Sequence, residues 1–201
     1  MNRIRAVAIK SWRRFVLPIS AARVRVRAAR EARVVPLDTV RRRLELLLNA
    51  MYGVQFEIES ADDDTPRNII GTRRRRAIAR HHGITIQLPP TIDARDSAAA
   101  VARYRLLAIE QAARIMRGSA AHAPGSGDAS VRDLYNLRES AEIDAAIVAA
   151  SPGVASVVSE ERNRALRARP SARKLSERER AVEELVLKVL RSDPGAIPDA
   201  I

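Results

Sequence analysis

Cysteine is absent from the 201 residues. That excludes disulfides, thiolate metal sites and cysteine nucleophiles, and it agrees with a reducing, cytoplasmic setting. Aromatic residues make up only 3%, so apolar contacts must come mostly from Ala, Leu, Ile and Val. That supply suits close-packed helices and is poor for stacking on nucleobases. No apolar run in the N-terminal arm approaches the roughly 18 residues of a membrane-crossing helix, and Phe15 to Ile19 is too short for a signal-peptide core. The phosphate-loop, dinucleotide-binding and Gly-x-Ser-x-Gly patterns are also missing, which removes the strongest signals for nucleotide binding and hydrolase chemistry.

Charge is abundant but unevenly placed. The net charge of +12 suggests a polyanionic partner, yet residues 1–35 hold ten Lys or Arg against the single acid Glu31, a local +9. The other 166 residues carry 26 basic and 23 acidic groups, only +3. The basicity thus belongs to an N-terminal arm, read as a solvated or partly helical extension. Contact with an anionic membrane or nucleic acid and a mis-chosen translation start are the alternatives. The arm is Arg-rich and acid-poor like an organellar transit peptide, but with only Ser11 and Ser20 it lacks the usual Ser enrichment.

The body, residues 36–195, reads as one mostly α-helical domain with a small two-stranded antiparallel β-ribbon, followed by a tail at 196–201. After Pro36, Val40, Leu44, Leu47, Leu48 and Met51 recur at helical spacing up to Gly53. VQFEIE at 54–59 alternates as a half-buried strand, and Gly83 to Leu88 repeats the pattern until Pro89-Pro90 stops it. These two strands are expected to pair. Ser97 to Arg117 is a long helix closed by Gly118, with Val101, Tyr104, Ala108, Ile109, Ala112, Ile115 and Met116 on one broad face. Ser119 to Ala129 is a flexible connection by composition and divides the chain into two lobes. Ser130 with Asp133 caps a helix to about Ala150, Ser151-Pro152-Gly153 breaks it, and a shorter helix spans Val154 to Ala168. Ser176 and Glu179 form a capping box for a last helix faced by Val182, Leu185, Val186, Val189 and Leu190.

The order "LPP, about a dozen residues, YRLLAIEQA, then Gly" between Ile84 and Ser119 resembles the helical region that precedes the von Willebrand A domain in NorD-like nitric oxide reductase activation proteins. VRRRLELLLNAMYG at 40–53 is similar to that family's opening helix, and VRDLYNLRESAEIDAAI at 131–147, SPGVASVV, ARP and LSERERAVEELVLKVL to its later ones. The resemblance runs from about Pro36 to Asp193. It implies a helical adaptor working with a MoxR-type AAA+ ATPase on a metalloenzyme client such as nitric oxide reductase. The family's metal-binding Asp-x-Ser-x-Ser motif does not occur here. Either a separate chain carries the von Willebrand A domain, this one being the front piece of a split or truncated protein, or that part has been lost. No function resting on its metal is carried over.

Within the central helix, Tyr104, Arg105, Glu110 and Gln111 are the candidate partner-binding or structural residues. Arg105 falls inside the projected apolar face. A guanidinium buried there needs a carboxylate or several carbonyls, with Asp93, Asp96, Glu142 and Asp144 in view. Glu110 invites comparison with a general base, but Arg103, Arg114 and Arg117 share its side of the helix, which reads as a surface ion-pair network. Arg73, Arg74, Arg75 and Arg76 are candidate anion-binding residues, alternatively a solvated loop partly neutralised by Asp62 to Asp64. His81-His82 reads as a solvated turn and His122 stands alone, without zinc-site spacing. No catalytic residue, cofactor site or metal site is expected, so the reading is a non-enzymatic cytoplasmic adaptor. The alternative is a basic nucleic-acid-binding protein using the arm and Arg73 to Arg76.

Overall fold

Val34 and Val35, at the end of the stretch read as the basic arm, already belong to the fold. They form strand β1 (Val34–Pro36) with Pro36, in a computed structural model that describes residues 33–61, 79–125, 129–170 and 175–198. A 3-10 turn (Leu37–Thr39) leads into helix α1 (Arg41–Tyr52), which ends as anticipated at Gly53 in the left-handed conformation. Four short strands follow: β2 (Glu57–Ser60), β3 (Arg80–His82), β4 (Thr85–Leu88) and β5 (Thr91–Asp93). Helix α2 (Ser97–Arg117) comes next, then the single turn α3 (Ser119–His122) and α4 (Ala129–Ala150). Helices α5 (Ala155–Ala168) and α6 (Glu177–Arg191) complete the set. Among the described residues no helix is long and apolar enough to cross a membrane.

The chain is mostly helical and contains a small antiparallel two-stranded sheet, but its strands are not the expected pair. That sheet joins β1 to β5, with Val35 opposite Ile92. The two strands read from alternation, β2 and β4, run parallel, with Ile58 beside Ile86 and Ser60 beside Leu88. Parallel pairing needs a connection of about a dozen residues or more, and the stretch between Ser60 and Thr85, which includes β3, exceeds that length. β4 also pairs antiparallel with β3 across a tight turn at Gly83, whose φ of 57° suits glycine. Arg80-His81-His82 has no apolar alternation, so β3 gave no signal.

One buried cluster unites the strands with the helices. Leu44 and Leu48 of α1, Ile58, Ile86, Leu88 and Ile92 of the sheets, Tyr104, Ala108 and Ala112 of α2, and Ile143 and Ile147 of α4 all belong to it. Tyr52 adds an edge-to-face contact with Phe56, their centroids 6.0 Å apart. Met51 and Met116, placed on core faces by periodicity, are instead exposed. The connection after Gly118 does not part the packing, because Ser119 is buried and Ile143 and Ile147 reach the same cluster as Tyr104.

α2 is the centre of this arrangement. Asp96 caps it by accepting from the Ala99 amide at 2.7 Å, and Gly118 closes it at φ 65°. Tyr104, Ala108 and Ala112 are buried in the main cluster, while Leu106, nearly opposite Ala108 on the helix, is buried too. The helix is thus covered on two sides. Farther along, Ser130 lies inside α4 rather than capping it, whereas the Ser176–Glu179 capping box forms as read.

Candidate functional site

Tyr104 is fully buried, its hydroxyl 2.9 Å from the Pro89 carbonyl and 3.2 Å from that of Val35. It satisfies acceptors at the Pro-Pro bend and on β1, and burial pushes its phenol pKa upward. Its role is to tie α2 to the strands. Gln111 is buried as well, and its Oε1 accepts from Nδ1 of His81, 3.1 Å away on β3. His81 is therefore half-buried against α2 rather than in a solvated turn, while His82 is exposed. Arg105 is exposed, which corrects its placement in the core stripe. Small Ala residues flank it on that side of the projection, and its long stem lets the charged head reach water.

The buried guanidinium is Arg162 of α5, only 5% exposed. Its Nε donates to Asp144 Oδ2 at 2.9 Å, and its Nη1 donates to the carbonyls of Val189 and Ser192 at 3.2 and 3.1 Å. One side chain thus joins α4, α5 and the end of α6. Asp144, proposed as a partner for Arg105, is held here instead. Glu142, another of those candidates, pairs with Arg138 at 2.8 Å and Arg117 at 2.6 Å. These contacts, the Arg138 hydrogen bond foremost, hold its carboxyl below the usual range.

Around Glu110 the helices α2, α4 and α5 meet in a charged seam. Arg103 donates to Glu161 at 2.8 Å, with both side chains about 20% exposed. Glu161 also accepts from Arg164 at 3.2 Å. Arg114 donates to the Ser140 hydroxyl at 2.8 Å. One turn on, Arg117 reaches Glu139 and Glu142, Ser119 donates to Glu139, and the Tyr135 hydroxyl donates to the Ser119 carbonyl at 2.6 Å. Glu110 is partly buried at the middle. Burial, reinforced by the charges of Asp144 and Glu161 against Arg114 and Arg103, pushes its pKa up to about 8. The network expected beside Glu110 exists, but it joins the helices rather than lying along one surface, and Glu110 makes no hydrogen bond or ion pair in it among the described residues.

Chemically, the seam binds helices together. Among the described residues no group of three His, Asp or Glu is placed to hold a metal ion. An open depression between α5 and the end of α6, walled by Ser159, Asn163, Ser192 and Pro194, borders Arg162, which is already engaged. Arg73 to Arg76 and residues 1–32 of the arm lie outside the described residues. In the sequence Arg162 is marked only by its place between Val158 and Leu166 in one stripe at i, i+4 and i+8, the same signal that Arg105 carries. Compared with family models, with curated proteins and with solved structures, the chain matches none.

Proposed function

We propose that this chain is a non-enzymatic adaptor that docks a MoxR-type AAA+ ATPase against a metalloenzyme client, as its resemblance to NorD-like proteins implies. The observation that carries this reading is the ordered likeness from Pro36 to Asp193, densest between Ile84 and Ser119. That densest stretch supplies β4, the Pro-Pro bend and the central helix, so the likeness falls on the framework of the fold. The work comes from ATP hydrolysis in the partner ring, while the helical body presents a stable surface. A cytoplasmic site of action, a client such as nitric oxide reductase and a separate von Willebrand A chain belong to the same proposal. The test is co-elution of the purified chain with the MoxR-type ATPases of its own genome. Co-elution strengthened by ATP is expected; its failure with every such ATPase, with no von Willebrand A domain in a neighbouring reading frame, rejects the adaptor.

The concentration of +9 in residues 1–35 favours one second reading, binding to nucleic acid through the arm. It predicts affinity for duplex DNA or RNA that falls steeply with salt and is lost when the arm is deleted. Absent or salt-insensitive binding removes it.

A further inference from the structure

The seam contains an acid whose neighbours are committed elsewhere. On its own helix, Glu110 faces Arg103, which is bound to Glu161 of α5, and Arg114, which is bound to Ser140 of α4. From α4 it faces Asp144, held by Arg162, and from α5 it faces Glu161. Neutral, Glu110 fits this setting without a counter-charge. Ionised, it adds a third anion beside Asp144 and Glu161 and needs a cation within reach. Arg114 is the residue able to respond: it lies four positions after Glu110, the favourable order for an acid and a base on one helix. Its tie to the uncharged Ser140 hydroxyl is weaker than a charge-paired one.

We propose that this seam is a proton-controlled joint in which Arg114 exchanges partners, holding Ser140 of α4 while Glu110 is neutral and turning to Glu110 when that carboxyl ionises. The proton leaves to solvent, and one link between α2 and α4 is released. Ser140 keeps its second bond, to the Asn136 carbonyl at 2.8 Å, and the backbone ladder keeps α4 helical while its hold on α2 loosens.

The test uses the full chain. Carbon-detected NMR follows the Glu110 carboxyl from about pH 5 to pH 9.5, and hydrogen exchange follows the α4 amides around Ser140 over the same range. Glu110 is expected to titrate well above the ordinary carboxylate range. As it does so, α4 exchange should accelerate several-fold beyond the intrinsic base-catalysed rise. Glu110→Gln keeps shape while removing the titration, so it should show the intrinsic rise alone. Ser140→Ala removes the tie without touching a charge, and it should exchange fast already at the low end with no further excess. A Glu110 carboxyl titrating in the ordinary range overturns the joint. So does an excess that persists in Glu110→Gln, or a Ser140→Ala profile identical to that of the unaltered chain.

Discussion

A single hydroxyl at position 104 serves two carbonyls, the buried one of Val35 and the part-buried one of Pro89. Tyr104→Phe is expected to cost about 1–3 kcal/mol of unfolding free energy, because a buried and a part-buried acceptor lose a donor while the ring packing survives. Urea titration measures it. Arg162→Met should be more damaging, on the order of 3–5 kcal/mol, because it strands the Asp144 carboxylate and uncaps carbonyls at the end of α6. The double variant Arg162→Met with Asp144→Leu is expected to recover most of that loss. At exposed Arg105 the expectation reverses: Arg105→Glu leaves the melting temperature unchanged, and if the adaptor reading holds it weakens co-elution with the ATPase.

Among the elements, ends were easier to read than partners. α2 begins and stops where Ser97 and Gly118 indicated, because capping is decided within one turn of chain. Gly118→Ala is expected to lower stability by about 1 kcal/mol, since φ 65° strains any side chain there, although the added methyl meets open space. The same local chemistry made Gly53 and the Ser176 capping box legible. What stayed hidden depended on distant chain. Parallel pairing of β2 with β4 follows from where the intervening segment delivers the strand, and alternation alone is silent on direction. Burial of Leu106 follows from helices arriving on the second side of α2, which a search for one apolar face passes over. Ser119 looked like linker by composition, yet Glu139 and Tyr135 draw it inward.

For the molecule as a whole, the carboxylates set opposing responses to pH. Glu142, held below its ordinary value by Arg138 and Arg117, contributes stability that is present above the unfolded carboxylate pKa of about 4.3 and is lost as pH falls through its folded value. Glu110 acts the other way. Its folded state keeps a proton that the unfolded chain gives up, so its contribution declines as pH rises from about 4.3 to about 8 and is level beyond. The urea midpoint of the unaltered chain, minus that of Glu110→Gln, should therefore fall through this window and then flatten. A flat difference throughout contradicts the raised value.

The bond from Tyr104 to Val35 and Pro89 also orders events in time. During synthesis the first two sheets emerge from the ribosome well before the residue that fastens them, and the apolar faces of Leu44, Leu48, Ile86 and Leu88 wait until α2 arrives to cover them. A nascent chain halted before residue 97 is expected to remain protease-sensitive, and one halted after α4 has cleared the exit tunnel to become resistant.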